Sequence, residues 1–328
     1  MTDEISIRTM EPSDAAGLSA CIRRCYGDSY PKRIMYEPVA LAEKVRSRGY
    51  NGVVATGGAD IVGHIGYNRP NPAATVVEAG TTVVDASHRG AGIMGRLASV
   101  LRENIIADDA SGFVHYPTTA HTVMQKASLQ SGGCETGVML AFLPAEARDL
   151  TIGGSGKDRL AVTVVYQPLV EAIAREIFLP DRYHDLIANF AKHLQLRRTF
   201  GRVLTEPTGE TKVRRTIDMN GNLECLTVEH IGNDITDVIM SAMASSDASL
   251  IHVDLTMNQP EIDHAVEALL AVGFVYCAWL PGWNKSDVLR LQLPKDPTIN
   301  ELHPILHSRP AEDIVALVRG ELAVRFLV

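Results

Sequence analysis

The chain is short of cysteine, of positive charge and of long apolar runs, and each shortage excludes a class of protein. Its five cysteines are odd in number and scattered, unlike the paired framework of a small secreted domain. The formal net charge of −8 argues against a nucleic-acid binder or a protein that lies on an anionic membrane surface. No stretch approaches the ~18 consecutive apolar residues of a membrane-spanning helix. The segment MTDE at residues 1–4 lacks the basic and apolar regions of a signal peptide, so we expect a cytoplasmic protein.

Two groups of side chains contain residue types that bind metals, but each group has a simpler explanation. Cys21 and Cys25 fall on one helix face, but no second pair matches them as ligands. Strand alternation and a helix surface explain His252, Asp254 and His264 more simply than a metal site does. We therefore expect reduced, buried thiols and no metal.

The most informative stretch is the glycine-rich segment VVDASHRGAGIMGRL at residues 83–97. It predicts a strand that ends at Asp85, a loop, and a helix that begins near Ile93. Glycines let the backbone turn tightly and leave its amide groups uncovered. The start of the helix adds unpaired N–H groups and the positive end of the helix dipole. Such a loop binds phosphate oxygens, and Arg89 adds a positive charge beside it.

This segment resembles motif A of the GCN5-related N-acetyltransferases (GNAT), which reads (Gln/Arg)-x-x-Gly-x-(Gly/Ala) after a hydrophobic strand. Gly90 and Gly92 match the motif, Arg89 precedes them, and Ser87 departs from the first position. The segment is not a Walker A loop, because no Gly-Lys-Ser/Thr follows, and it lacks the G-x-G-x-x-G of a dinucleotide fold. The resemblance implies that the loop and the preceding strand bind acetyl-coenzyme A. The residues it assigns to this cosubstrate are Val83, Val84, Arg89, Gly90, Ala91, Gly92, Ile93, Met94 and Gly95.

The elements around the loop follow the order of the acetyltransferase fold. Apolar periodicity predicts strands at 5–8, 52–56, 61–67, 76–85, 112–116, 137–143 and 160–166, and helices at 15–25, 93–106 and 121–131. The resemblance therefore implies an α/β (α+β) fold over the first half of the chain. We expect a mixed, twisted sheet flanked by helices.

The second half repeats the order of the later elements of the first. Strands are predicted at 212–219, 223–230, 250–255, 275–280 and 286–293, and helices at 235–244 and 260–271, with a turn at Asn220-Gly221. We interpret this half as a second, degenerate domain of the same fold. Its loop at 231–234 has a single glycine and carries Asp234, which repels phosphate. We therefore expect it to bind no coenzyme A.

The length of 328 residues suits two such domains. We assign residues 1–170 to an acetyl-CoA-binding catalytic domain, 171–200 to a connecting helical segment, and 201–328 to the degenerate domain. The degenerate domain would cover the acceptor site or mediate a homodimer.

A candidate general base lies on the strand before the loop. Glu78 is on this strand, and positions 78, 80 and 82 share one face. The resembled family often has a glutamate two positions nearer the loop, where this chain has Gly80. Glu78 would accept the amine proton directly or through water. His115 and Tyr116 on the neighbouring strand are alternatives.

The candidate general acid departs from the resembled family. The usual tyrosine in Leu-Tyr-x-Lys-x-Gly-Phe aligns with Ser128, when Gly132-Gly133 is aligned with Gly-Phe. A serine hydroxyl is too weak an acid for efficient proton transfer. Tyr116, His121 or water would then protonate the leaving thiolate.

The acceptor region is predicted at residues 26–37, where a Gly/Pro-containing loop carries several tyrosines and a carboxylate. Tyr26, Asp28 and Tyr30 are the candidate substrate-binding residues. The leading hypothesis is an acyl-CoA-dependent N-acyltransferase that acts on a small-molecule amine, with acetyl as the expected acyl group. The alternatives are a non-catalytic coenzyme A-binding regulator and a protein-lysine acetyltransferase.

Overall fold

The computed structural model describes residues 4–145, 159–203, 206–219, 222–295 and 304–325, with only the backbone described at 324 and 325. The strands are β1 (Ile5–Thr9), β2 (Asn51–Gly57), β3 (Asp60–Asn68), β4 (Val77–Val84), β5 (Gly112–His115), β6 (Cys134–Leu143), β7 (Leu160–Pro168), β8 (Arg175–Phe178), β9 (Arg198–Gly201), β10 (Lys212–Asp218), β11 (Leu223–His230), β12 (Leu250–Thr256), β13 (Val275–Leu280) and β14 (Val288–Pro294). The helices are α1 (Ala15–Tyr26), α2 (Pro38–Arg46), α3 (Ile93–Ala107), α4 (Val123–Gln130), α5 (His184–His193), α6 (Ile235–Ala244), α7 (Ile262–Ala271) and α8 (Arg309–Arg325).

A 12-stranded sheet runs through the molecule in the order β1-β2-β3-β4-β5-β7-β6-β13-β14-β12-β11-β10. The pairs β4–β5 and β11–β12 are parallel, and the other neighbours are antiparallel. The predicted mixed sheet is therefore confirmed. Strands β8 and β9 form a separate parallel pair, and together with α5 they occupy the segment that was predicted as a helical connection.

Helices cover both faces of the sheet in the first half of the chain. Helix α3 buries Ile93, Leu97, Leu101 and Ile105, the helical spacing of one apolar face, against β2, β3 and β4. Helix α1 packs on the other face, where its Cys21 and Cys25 are buried beside Val83. The end of β4 is thus fixed between two helical layers.

The two halves of the chain join through β6 and β13, where Gly137 pairs with Ala278. A Cβ atom at position 137 would lie 2.2 Å from the Cys277 carbonyl oxygen and 2.4 Å from the Ala278 Cβ. Only glycine permits this approach. Helix α8 packs across the junction on both β6 and β13, burying apolar residues that include Ile314 and Val318.

The strand order on one side of this junction mirrors the order on the other. Moving outward, the first half continues β6-β7-β5-β4-β3 and the second half continues β13-β14-β12-β11-β10. Each series contains one parallel pair at the same step. The predicted turn at Asn220 and Gly221 lies outside the described residues. No helix in the described ranges is long and apolar enough to cross a membrane.

Candidate active site

A slot opens between β4 and β5 because these parallel strands pair only at their beginnings. Val77 is opposite Phe113, and Glu78 is opposite Val114. Strand β5 ends at His115, whereas β4 continues to Val84. Beyond Glu78 the β5-facing edge of β4 therefore has no strand partner among the described residues, although His64 and Arg89 contact the carbonyl oxygens of Thr81 and Val84. The absence of a partner strand leaves this edge open to a ligand.

A β-bulge distorts β4 inside this slot. The pairing with β3 shifts between Gly66↔Gly80 and His64↔Val83, and Thr81 has φ of 54°. A positive φ is strained for a β-branched residue, and such bulges are frequent beside functional sites. The Thr81 side chain lies beside the hydroxyls of Tyr30 and Tyr50, where it opposes the rise in pKa that burial gives each of them.

His64 supports the bulge from within the core. Its Nδ1 lies 2.8 Å from the Thr81 carbonyl oxygen, and because a carbonyl only accepts, Nδ1 carries the proton. Burial lowers the pKa of His64 to about 4. Glycines make room for this arrangement: a Cβ at Gly52 would lie 2.6 Å from His64 Nε2, and one at Gly66 would lie 2.0 Å from the Tyr50 hydroxyl.

The glycine-rich loop after β4 is open to solvent. Gly90 and Gly92 have φ of 82° and 69°, and a Cβ at either residue or at Gly95 would meet nothing within 4 Å. Helix α3 begins at Ile93, and the Arg96 amide donates the first backbone hydrogen bond of the helix, to Gly92 O. The preceding amides are the group of donors that a helix start leaves for an anion.

Side chains before the glycines fix the entry to this loop. Asp85 accepts hydrogen bonds from the backbone and the hydroxyl of Ser87 and from Arg24 Nε at 2.5 Å. Although burial raises the pKa of Asp85, these hydrogen bonds lower it below its usual value. Arg89 Nε donates to Val84 O at 3.0 Å. Ser87 therefore stabilises the turn from the first motif position.

The other residues assigned to the cosubstrate border this loop. Val83 is buried and Val84 half-buried at the end of β4, and Met94 is half-buried in the first turn of α3, where Ile93 points into the core. Ala91 is exposed between the two glycines. The structure thus brings all the predicted cosubstrate residues to one edge of the slot.

Glu78 forms an ion pair that the sequence did not reveal. Lys32 Nζ lies 3.3 Å from Glu78 Oε1, with the two side chains 41% and 23% exposed. Attraction to Glu78 raises the pKa of Lys32, although burial opposes it. Because 46 positions separate the two residues, no local pattern indicates this contact.

Tyr116 and His115 lie at the end of β5, on the other side of the slot. Burial and the Glu78 carboxylate raise the pKa of Tyr116, whose ring is 5.6 Å from that of Phe142. Burial lowers the pKa of His115 to about 4, and its Nε2 has no partner within the described ranges. Both groups are therefore neutral near pH 7.

His121 and Ser128 belong to the α4 region. His121 precedes the helix, and its Nδ1 is buried with no hydrogen-bond partner among the residues described. Ser128 is buried, and its hydroxyl donates to Met124 O at 2.6 Å. Ser128, which aligns with the family tyrosine, is therefore buried and bonded to the backbone of its own helix.

The predicted acceptor residues occupy the loop that follows α1. The Tyr26 and Tyr30 rings are in edge contact with centroids 5.0 Å apart, and the Tyr30 amide donates to the Tyr36 hydroxyl at 2.9 Å. Asp28 is 84% exposed and pairs with Arg23. Tyr30 is the member of this group that reaches the bulge in β4.

The loop at 231–234 in the second half is filled by protein groups. The amides of Ile231, Gly232 and Asn233 donate to Gln259 Oε1, Thr211 Oγ1 and Gly209 O at 2.8, 3.0 and 3.1 Å. A Cβ at Gly232 would lie 2.4 Å from the Thr211 nitrogen. These amides are not available to a phosphate.

The slot is also absent from the described part of the second half. Strands β11 and β12 pair continuously from Leu223↔Leu250 to Val228↔Leu255. Where β4 and β5 diverge, the equivalent strands of this half remain hydrogen-bonded. The contrast leaves the first-half slot as the better site for an extended ligand.

Asp254 and His252, two of the side chains considered for a metal site, contact other protein groups. Asp254 accepts two hydrogen bonds from Arg290, at 2.6 and 2.8 Å. His252 is buried, and its ring stacks on Phe142 with centroids 6.2 Å apart. Over the described ranges no group of three or more His, Cys, Asp or Glu residues could hold a metal ion.

No protein-family profile matches the sequence, and no curated protein matches it, but solved structures do match its fold. An N-acetyltransferase from Staphylococcus aureus Mu50 is 18% identical, with a TM-score of 0.42 over 51% of this chain and 99% of its own. An acetyltransferase from Salmonella typhimurium, solved with acetyl-CoA, is 16% identical, with a TM-score of 0.42 over 52% and 98%. A GNAT-family acetyltransferase from Streptococcus pneumoniae is 17% identical, with a TM-score of 0.41 over 50% and 99%.

The solved structures that match are acetyltransferases, and each covers about half of this chain. The mixed sheet predicted for the first half is confirmed by this chain's own strand order. These identities speak to the fold alone. What the slot does chemically follows from the residues of this chain.

Proposed function

We propose that the protein is an acyl-CoA-dependent N-acyltransferase that transfers an acetyl group to a small-molecule amine. The observation that carries the proposal is the open glycine loop at the end of β4, continuous with the unpaired edge of that strand. The loop offers backbone amides to the pyrophosphate, and the strand edge offers backbone groups to the pantetheine arm. The thioester would then lie in the slot beside Glu78.

The reaction needs a neutral amine, a stabilised oxyanion and a protonated leaving thiolate. The amine nitrogen attacks the thioester carbon, the C–N bond forms, and the C–S bond breaks. Glu78 accepts the proton that the amine loses, directly or through water. Backbone amides near the bulge at Thr81 stabilise the oxyanion.

The leaving thiolate of coenzyme A takes its proton from solvent in this scheme. Tyr116 donates a hydrogen bond to the sulfur rather than its proton, because the raised pKa of its hydroxyl makes full transfer to a thiolate unfavourable. His121 is the alternative donor, because its Nδ1 is buried just before α4 with no hydrogen-bond partner among the residues described. A Tyr116→Phe variant separates the two by the size of its effect on turnover.

The second half has a structural role in this proposal. Residues 201–328 form a degenerate repeat with a filled loop and a closed strand pair, and they support the first half through the shared sheet. The buried Asp254–Arg290 pair acts electrostatically on Tyr116, which supports a position for this half along one wall of the slot.

The test is thiol release from acetyl-CoA over a panel of amines, with Glu78→Gln as the decisive variant. Loss of a general base is expected to reduce kcat by about 10²–10⁴-fold, while the Kd of acetyl-CoA stays unchanged. Glu103→Gln, an exposed carboxylate of α3, is the matched control and should retain activity.

Two results would contradict the proposal. Acetyl-CoA binding without thiol release for any amine would favour the non-catalytic regulator. Full activity of Glu78→Gln would remove Glu78 from the mechanism. A lysine-bearing protein in the same assay tests the protein-acetylating alternative.

A further inference from the structure

The Lys32–Glu78 ion pair lies where the slot opens. Glu78 is the last residue of β4 that pairs with β5, and Lys32 reaches it from the loop after α1 at 3.3 Å. Both side chains remain partly exposed, so a ligand can reach them. An accessible ion pair at this position is a recognition element as well as a structural contact.

At the end of the slot near Glu78, the charged side chains form pairs of opposite sign. The charged side chains that act on the hydroxyls of Tyr30, Tyr50 and Tyr116 are Lys32, Glu78, Asp254 and Arg290. Two are cations and two are anions. A ligand with one charge of each sign matches this balance, whereas a polycation would bring an ammonium group against Lys32.

Lys32 is suited to hold an anion rather than to react. The attraction of Glu78 raises its pKa, so the ammonium stays charged at neutral pH and is no nucleophile. Asp254 and Arg290 satisfy each other with two hydrogen bonds. Of the two cations, Lys32 is therefore the one that can exchange its protein partner, Glu78, for an anionic group of a ligand.

We propose that the acceptor is an amine that carries a carboxylate within a few bonds, that is, an amino acid or a close analogue. Lys32 binds the carboxylate, and the acceptor ammonium takes the place of Lys32 beside Glu78. This inference rests on the proposed acyl transfer, whose acceptor it specifies. Tyr30, which is half-buried beside this ion pair, borders the exchange.

The exchange also prepares the base for the reaction. In the free protein Glu78 is paired with Lys32. The carboxylate of the ligand binds Lys32 in its place and so frees Glu78. Glu78 then accepts a proton from the acceptor ammonium, and the neutral amine attacks the thioester carbon of the acyl-CoA. A second proton leaves the nitrogen as the amide forms, to water, and the thiolate takes one proton from solvent.

The experiment compares amino acids with their own carboxamides as acceptors for acetyl-CoA, measured by thiol release. Each pair exchanges a carboxylate for a neutral amide of nearly the same size, and kcat/KM is corrected for the lower pKa of the amino group in the carboxamide. We expect the wild-type protein to prefer the acids by about 10- to 100-fold in kcat/KM, the effect of one charge-assisted hydrogen bond. The preference should reside mainly in KM, because the contact holds the substrate.

Variants at position 32 identify the group responsible. Lys32→Met should abolish the preference, and Lys32→Arg should keep it. Arg33→Met removes an exposed neighbouring charge and should change nothing. Unchanged affinity of Lys32→Met for acetyl-CoA shows that the variant is folded.

The outcomes separate this inference from the function on which it rests. Equal or better rates with the carboxamides, or an undiminished preference in Lys32→Met, would overturn the acceptor class while leaving acyl transfer intact. The absence of thiol release with every amine tested would overturn acyl transfer itself. A preference for the acids that disappears in Lys32→Met supports both.

Discussion

His64 is buried beneath the bulge in β4, and its titration links the slot to stability. Burial lowers its pKa to about 4 in the folded protein, against about 6.5 in an unfolded chain. Above pH 6.5 the ring is neutral in both states. As the pH falls from 6.5 to 4, the unfolded state alone takes up the proton, so the free energy of unfolding decreases.

We predict that His64 contributes up to about 3 kcal/mol to this acid destabilisation, at 1.36 kcal/mol per pKa unit. Urea unfolding at several pH values measures it. His64→Asn keeps a donor for Thr81 but does not titrate, so its stability should fall less steeply with pH. The exposed His193→Asn should follow the wild-type curve. An unchanged slope in His64→Asn would show that His64 is already protonated or exposed.

Residues of the slot differ in how far the sequence could predict them. Gly90 and Gly92 follow from a local motif, because a phosphate loop needs its glycines at fixed spacing. The Lys32–Glu78 pair depends on folding across 46 positions. The bulge at Thr81 depends on contacts with other strands, such as that of His64 with the Thr81 carbonyl oxygen. The sequence next to Thr81 therefore does not indicate the bulge. The sequence shows glycines at positions 52 and 66, but only the structure explains them. A side chain at Gly52 would meet His64, and one at Gly66 would meet the Tyr50 hydroxyl.

At the scale of the elements, the two parallel strand pairs distinguish the halves of the chain. Strands β4 and β5 diverge after Glu78, whereas β11 and β12 remain paired to Val228 and Leu255. Sequence periodicity predicts that these strands exist, but not how far neighbours remain paired. Helix α8 was not predicted, although its apolar residues have helical spacing.

We predict that acetyl-CoA slows amide hydrogen exchange at residues 79–84 and 90–95. The ligand would cover the free strand edge and the first-turn amides, which have no other protection. Exchange at 223–234 should not change, because those amides already have protein acceptors. Peptide-resolved exchange with and without acetyl-CoA measures both regions. Protection at 231–234 would contradict the assignment of one working loop.

At the scale of the whole molecule, one sheet connects the two halves, and Gly137 is the point of closest approach. We predict that Gly137→Ala lowers the free energy of unfolding by about 1–3 kcal/mol, the cost of overpacking. The reason is that its methyl group would meet Cys277 and Ala278 of β13. Denaturant unfolding provides the measurement.

Gly320→Ala is the matched control for the junction. It lies on the exposed face of α8 with open space around it, so alanine should raise stability by up to about 1 kcal/mol. Both variants should unfold in one transition, since the halves share a sheet and α8 packs on both. Equal stability of Gly137→Ala and the wild type would show that the β6–β13 contact is loose.

The central claim is one coenzyme A site, built on the loop after β4, and calorimetric titration with acetyl-CoA tests it most directly. The account predicts one site per chain in the wild type and none in Gly90→Glu, where a carboxylate enters the phosphate loop. Gly209→Glu is the control, because Gly209 is also exposed with a positive φ of 79° but borders the filled loop of the second half. It should bind acetyl-CoA like the wild type. Two sites per chain, or unchanged binding in Gly90→Glu, would contradict the account.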